Sequence, residues 1–409
     1  MSLKEEALIF HRKTKGKISV ESKSVVENAH DLSLAYSPGV AEPVKEIAFD
    51  PEMAYYYTSK WNMVAVVTDG SAILGLGNLG ALASLPVMEG KAVLFKKFGG
   101  VDAFPICLNT KDTDKIIETV KLLEPVFGGV NLEDISAPRC FEIEKVLREE
   151  LSIPVFHDDQ HGTAIITLAG LYNALKIVGK KIEEIKVVIN GAGAAGISIA
   201  KLLIHMGVKN VILCDTKGAI YSGRPQGMNP YKDEIAQITN SEMEKGTLAD
   251  AMKGSDVFVG VSARDVVNQK MVKSMAKDPI IFACANPDPE INPNAAKEAG
   301  AAVVATGRSD FPNQINNVLG FPGLFRGVLD VRARVINDDM NVAAAVAIAD
   351  FVDDSKLSPD YIVPSPLDLE IYPRVAAAVA KAAMKSGVAR FAILPIDVEL
   401  NARRLLGLS

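Results

Sequence analysis

The stretch from Ile185 to Asp215, IKVVINGAGAAGISIAKLLIHMGVKNVILCD, constrains the fold more than any other part of the chain. It opens with a short apolar run rich in β-branched residues, Ile185 to Ile189, the pattern of a parallel strand buried on both faces. Gly191, Gly193 and Gly196 follow as G-x-G-x-x-G. Ile197 to Met206 then continues without proline as a helix, and Val211 to Leu213 reads as a second strand ending at Asp215. The spacing has physical reasons. The first glycine permits a tight turn, the second lets backbone approach a pyrophosphate, and the third lets helix pack on strand. The helix N-terminus turns free N–H groups and the positive end of its dipole toward the phosphates. An acid about 20 residues on can accept hydrogen bonds from the adenosine ribose. The loop Gly191-Ala192-Gly193-Ala194-Ala195-Gly196 with Asp215 beyond it is therefore expected to bind a dinucleotide.

At 409 residues the chain exceeds one typical core, so two or three domains are expected. A hydrophobic share of 48% beside 23% charged residues is that of a soluble globular protein. The formal net charge of -6 supplies no basic field and argues against nucleic acid as a partner. Cys107, Cys140, Cys214 and Cys284 are widely spaced with no C-x-x-C pair, which fits reduced thiols in a cytoplasmic protein. The start of the chain lacks an apolar run long enough for a signal peptide, and no stretch has the length of a membrane span.

Taken in order, residues 4 to 50 read as helical and irregular, with Pro38 and Gly39 forcing a turn after Tyr36. Met63 to Thr68 and Val101 to Leu108 read as strands, and between them Gly75, Gly77 and Gly80 form a second G-x-G-x-x-G. Pro86 interrupts the segment after these glycines and no acid closes a following strand. This copy is therefore expected to cover something smaller than a dinucleotide. Asp112 to Leu123 and Ala137 to Glu150 read as helices, Gly128 to Leu132 and Pro154 to Phe156 as strands, and Ala164 to Val178 as an apolar helix. After Asp215 the pattern continues with strands at Asp256 to Val259, Pro279 to Ala283 and Ala302 to Ala305. Helices follow at Phe325 to Val335, Asn341 to Val352 and Tyr372 to Lys385. The fold class is α/β in two domains. Residues 1–160 form an N-terminal α/β domain, and residues 161–409 a Rossmann domain with C-terminal helices.

Open α/β sheets place ligands at strand ends, and four groups of polar residues fall there. Glu133 and Asp134 end one strand while His157, Asp158 and Asp159 end another, so carboxylates can converge on a cation. Oxygen ligands favour Mg²⁺ or Mn²⁺. Zinc is the competing reading, since His157 and His161 are spaced like the ends of H-E-x-x-H; Asp, not Glu, follows His157, and the preceding Pro-Val-Phe is extended. Lys91 lies between apolar runs in PVMEGKAVLF, where a lysine ordinarily snorkels to solvent. Tyr36, Asn286 in CANPDPEI and Asn317 in QINNVLGFPG complete the set, with packing and turn formation as their ordinary roles.

This constellation resembles the malic enzymes, in particular the short form found in bacteria and archaea. The resemblance runs from about Lys15 to Ala389. It is carried in the family's order by KGKISVESK, LAYSPGVAEP, VTDGSAILGLGNLG, PVMEGKAVLFK, NLEDISAPRCFEIE, FHDDQHGTA, GAGAAGISIAKLL, ANPDPEI and NNVLGFPGLFRGVLD. It implies that the first G-x-G-x-x-G belongs to the substrate domain. Tyr36 would be the general acid, and Lys91 the general base held by Asp158. Glu133, Asp134 and Asp159 would bind the divalent cation, and Asn286 and Asn317 would touch substrate or nicotinamide ribose. The implied reaction takes L-malate to pyruvate and carbon dioxide with reduction of NAD or NADP. Asp215 favours NAD, while Thr216 and Lys217 beside it leave room for NADP. The family also implies a homodimer in which Tyr36 completes its neighbour's site. One departure stands out: larger eukaryotic members carry an arginine where this chain has Ala72, which leaves the clamp on a malate carboxylate to Ser71, the Gly75 to Gly80 loop or the metal.

A malolactic reaction that retains NAD and releases lactate would use the same residues. A non-catalytic NAD-binding regulatory protein on the same fold is the alternative from another class. Keeping Tyr36, Lys91, Glu133, Asp134, Asp158 and Asp159 together argues against it.

Overall fold

The computed structural model describes residues 2–74 and 76–409. Gly75, the first glycine of the N-terminal fingerprint, lies outside the described residues. Two sheets organise the chain. The first has four parallel strands in the order β2-β1-β3-β4, with β1 Met63–Thr68, β2 Asp102–Cys107, β3 Gly129–Leu132 and β4 Val155–His157. The second has six strands in the order β10-β9-β8-β5-β6-β7. They are β5 Lys186–Asn190, β6 Asn210–Asp215, β7 Gly218–Ala219, β8 Val257–Gly260, β9 Ile280–Ala283 and β10 Val303–Thr306, and only β7 is antiparallel. In both sheets the chain starts in the middle, builds one edge, and then crosses to the other side of its first strand. Each sheet thus has a switch point, at β1/β3 and at β5/β8, where loops splay apart and leave a crevice.

The inner strands are short and almost wholly buried, as parallel strands covered by helices on both faces must be, while the edge strand β2 is half-buried. Between the sheets runs the apolar Thr163–Val178 helix, with most of its residues buried. The C-terminal helices reach back to the first sheet. Phe321–Asp330 packs against Ala81–Gly99 so closely that a Cβ on Gly99 would lie 2.6 Å from the Pro322 carbonyl. Phe321 and Phe325 meet Phe95 with ring centroids 4.7 and 5.1 Å apart.

The strands fall within a residue or two of their expected positions, and three features differ from expectation. Pro86 does not interrupt its segment: the helix runs unbroken from Ala81 to Gly99, because a proline two turns in removes one i−4 hydrogen bond and the rest of the ladder holds. The helix expected at Phe325 to Val335 begins at Phe321 and ends at Asp330, with Pro322 in its first turn, a position whose N–H needs no partner. A further helix, Pro395–Leu406, follows the region read from sequence. Among the described residues no helix is long and apolar enough to cross a membrane.

Candidate active site

Strand β3 delivers Glu133 to the crevice of the first sheet, its N–H still bonded to Val67 at 2.9 Å. Asp134 then turns left-handed at φ +53°, which an aspartate tolerates, and its N–H donates to Asp159 Oδ2 at 2.9 Å. After β4, residues Asp158–Gly162 form one wide turn of π-helix before the Thr163–Val178 helix. Such turns re-aim side chains at functional positions. Gly162 is required there, since a Cβ would sit 2.0 Å from Asp158 Oδ1.

Lys91 enters from the Ala81–Gly99 helix and does not snorkel. It is 7% exposed, with Nζ 2.6 Å from Asp158 Oδ2, 3.1 Å from Glu133 Oε1 and 4.4 Å from the centroid of the Phe321 ring. Asn131 donates to Glu133 Oε2 at 2.9 Å, and Asn317 donates to Asp158 Oδ2. Burial alone would lower the Lys91 ammonium, but Asp158 and Glu133 outweigh it and hold the group above its ordinary value. Burial pushes Glu133 well up and raises Asp158, with Lys91 opposing both. Asp134 is pushed up to about 7, by burial first and the Asp159 charge second.

Anions outnumber the cation here, and the surplus has a geometry. Glu133, Asp134 and Asp159 each present an oxygen within 4.8 Å of the others, and Asp134 Oδ2 is buried without a donor. An unsatisfied carboxylate oxygen in a ring of carboxylates fits a divalent cation of the Mg²⁺ or Mn²⁺ kind. The zinc alternative fails on geometry: His157 is fully buried, while His161 turns away to bond Glu144 at 2.6 Å.

A cavity of about 1110 Å³ joins this cluster to the second sheet, lined by Lys91, Glu133, Asp134, Asp159, Asn286 and Asn317 together with Ala194 and Ala195 of the glycine loop. At that loop the glycines have separate reasons. Gly191 sits at φ +119°, with its Cβ position 2.5 Å from the Val261 carbonyl. Gly196 faces the Gly191 carbonyl at 1.7 Å, whereas Gly193 faces open space. The Ala194–His205 helix starts there with no side-chain cap. Open space before uncapped N–H groups fits a pyrophosphate. A neighbouring cavity of about 830 Å³ continues from Asn190, Gly191 and Ala192 to Asp215, and Ser262 lines both.

Asp215 ends β6 as expected, but its carboxylate is not free. Arg224 grips it with Nη1–Oδ1 at 2.8 Å and Nη2–Oδ2 at 2.5 Å. Lys232 Nζ adds 2.6 Å to Oδ2, and the Lys217 N–H adds 2.8 Å to Oδ1. Sequence reasoning missed Arg224, 9 positions past the acid, and Lys232 in the Pro230–Ala236 helix; the available signal was basic residues in the segment after the acid. Tyr36 caps the Ala29–Ala35 helix, is 69% exposed, and does not line the cavity that holds Lys91. Ser71, considered for a carboxylate, is buried, its hydroxyl 2.5 Å from Asp69 and 3.0 Å from Arg139. Ala72 does line the cavity, its N–H held by the Asp134 carbonyl at 2.9 Å.

A nucleotide-type switch point that opens into a buried lysine–carboxylate cluster defines a two-domain α/β oxidoreductase. The model of the malic enzyme N-terminal domain matches residues 15–148, and that of the malic enzyme NAD binding domain matches residues 160–384. The chain belongs to the malic enzyme family. It is 64% identical over 405 residues to the bifunctional malic/malolactic enzyme of Bacillus subtilis (strain 168), covering 99% of each chain. It is 58% identical to the NAD-dependent malic enzyme of Geobacillus stearothermophilus, across 93% of this chain and 79% of that one. The crystal structure of malic enzyme from Pyrococcus horikoshii Ot3 superposes with a TM-score of 0.95 at 52% identity, covering 99% of this chain and 96% of that one.

Proposed function

We propose that the chain oxidises and decarboxylates L-malate to pyruvate and carbon dioxide, with NAD(P) as hydride acceptor and a divalent cation on Glu133, Asp134 and Asp159. One observation carries the reading: Lys91 is buried between Asp158 and Glu133 in a cavity shared with the carboxylate triad and the glycine loop. When bound, the nicotinamide accepts the hydride and the cation acts as a Lewis acid.

The side chains do the rest. Lys91 takes the proton of the malate C2 hydroxyl, which requires a neutral amine. Its carboxylate neighbours Asp158 and Glu133 hold it charged, and a cation held by Glu133 and Asp159 would offset that pull and favour the neutral amine. Asp158, gripped by Asn317, fixes the direction of Nζ. Asn286 and Asn317, on the cavity wall, orient substrate and nicotinamide ribose. Tyr36 returns a proton to C3 from the partner subunit of a homodimer. In support, the helices Leu3–Thr14, Ala29–Ala35 and Ala41–Phe49 bury no residue within one chain, while Leu32, Leu34, Tyr36 and Phe49 are exposed apolar side chains. On this reading residues 1–160 are the substrate and metal domain, residues 161–409 are the nucleotide domain with C-terminal helices, and the enzyme works in the cytoplasm.

The malolactic reaction is the second reading, favoured by the name of the Bacillus subtilis relative. The test incubates the protein with L-malate, Mn²⁺ and NAD or NADP, with and without EDTA. It follows reduced nicotinamide, pyruvate and lactate. Reduced nicotinamide matched by pyruvate, both lost with EDTA, is the expected result. Lactate without net reduction selects the malolactic reaction, and neither product sinks both readings.

A further inference from the structure

Glu290, in the ANPDPEI segment beyond β9, is fully buried and has no part in the site described so far. Its Oε1 accepts from the Ser262 N–H at 2.8 Å and from the Ser262 hydroxyl at 3.2 Å, and its Oε2 from the Ala285 N–H at 3.0 Å. Asn190, the last residue of β5, donates to Ser262 Oγ at 2.7 Å, which leaves the hydroxyl proton for Glu290. Gly260, the last residue of β8, makes the room: a Cβ there would stand 2.3 Å from the Glu290 carboxyl carbon. One carboxylate thus ties the ends of β5, β8 and β9 together at the switch point of the second sheet. Burial pushes the carboxyl up, and the Ala285 and Ser262 donors pull it down. Two N–H groups and a hydroxyl proton are the partners of an ionised carboxylate.

No cation answers this charge. Among the described residues no lysine, arginine or histidine pairs with Glu290; Arg264 and Arg308 on neighbouring loops bond Asp288 and Asp310 instead. The residues that hold the carboxylate are themselves cavity wall. Ser262 lines both cavities, and Ala285 lines the larger one with Asn286, Lys91 and the carboxylate triad. A bare negative charge therefore stands one hydrogen bond behind the wall of the chamber where nicotinamide has to meet malate, and a buried charge is little screened. Charge beside the ring is one means by which a protein tunes a nicotinamide, which is cationic when oxidised and neutral when reduced. We propose that the Glu290 carboxylate biases the nucleotide site toward the oxidised, cationic nicotinamide, so that hydride transfer to the ring loosens the nucleotide and favours its release. The inference rests on the reading that these cavities receive NAD(P). It favours net reduction over the malolactic reaction, in which the nucleotide is retained.

The test measures the Kd of oxidised nucleotide by calorimetry and of reduced nucleotide by its fluorescence, with NAD or NADP, whichever binds. Malate is left out, and Mn²⁺ is present throughout so that the charge of the triad is the same in every titration. The wild type is expected to bind the oxidised form at least as tightly as the reduced form. Glu290→Gln should move the ratio of the two Kd values toward the reduced form by about tenfold, the order expected when one charge is lost just behind the wall. Glu290→Asp, shorter but still charged, should keep the ratio within about twofold of the wild type. A purely structural role would weaken both forms alike in both variants. Tighter binding of the reduced form by the wild type overturns the proposal, whether or not the Gln variant folds. A ratio that Glu290→Gln leaves unchanged overturns it too, as does one that Glu290→Asp shifts equally far. Malate turnover measured alongside separates the two readings. An enzyme that reduces nucleotide with malate but shows no bias keeps its function and loses this inference. A bias that Glu290→Gln removes, without malate turnover, does the opposite.

Discussion

Two acids end parallel strands in this molecule and have opposite fates. Asp134, beyond β3, is buried with an oxygen that no donor reaches and is pushed up to about 7. Asp215, at the end of β6, has every acceptor filled and is held well below the ordinary carboxylate range. Burial works against ionisation at both. Further carboxylates surround the first, while guanidinium, ammonium and backbone N–H surround the second. An acid at a strand end awaits a ligand only if its own structure has left it unsatisfied. By that criterion Asp134 is left open to a ligand, and Asp215 is tied into the frame.

The sharpest test concerns Lys91, the cation set between Glu133 and Asp158. Lys91→Ala is expected to lower malate turnover by about 10²–10⁴-fold, the usual weight of a general base. Nucleotide binding should not change, because the glycine loop and the Asp215 cluster do not touch Lys91. Steady-state rates and nucleotide calorimetry on the same preparation check both halves. Unchanged turnover would remove Lys91 from the reaction.

Asp134 should give the next largest effect. Its carboxylate must be ionised to hold a cation, and with a value of about 7 a proton competes throughout the neutral range. Mn²⁺ affinity is therefore expected to rise with pH through about 7. Asp134→Asn should weaken binding by about 100-fold, at least the loss seen when a mere supporting group is removed, and should flatten the pH dependence. Stability runs the other way. A carboxyl whose folded value lies above the unfolded value of about 3.9 costs metal-free stability as pH rises between the two. The metal-free Asn variant should therefore melt higher than the wild type near pH 8. Mn²⁺ titrations at about pH 6 and 8 and metal-free melting curves measure the two signs.

These contrasts also mark where the sequence ran out. The strands, the glycine loop and the acids at strand ends follow from short β-branched runs and local spacing, so they were visible in the chain. Composition and spacing did not single out Lys91, because a lysine in an apolar helix ordinarily reaches solvent; the family resemblance alone paired it with Asp158, 67 positions away, and the fold puts the two in contact. Arg224 and Lys232 likewise meet Asp215 only because the chain folds back beyond β7, across 9 and 17 positions. Pro86 misled because a proline argues against a helix locally, while packing on Phe321 and Phe325 decided for one. Tyr36 was placed at an element's end, and a single chain gives it no partner in the cavity.

The smallest expected effect is at Asp215, and it separates frame from ligand group most directly. Asp215→Asn keeps the shape and removes the charge, leaving the buried Arg224 guanidinium without its counter-ion. A fall in Tm of about 2–4 °C is expected, the size of a typical single-site loss in a chain of this kind. The pH dependence fixes the cause. Asp215 is lowered in the fold, so its contribution is present in full above the unfolded value of about 3.9 and declines as pH falls below it. The gap between wild type and variant should thus be constant from about pH 6 to 8 and begin to narrow as pH drops below about 4. An acid that instead read a ribose hydroxyl would leave the nucleotide-free protein indifferent to the substitution and raise the Kd of ADP-ribose. Melting curves without nucleotide, taken across that pH range, decide between them.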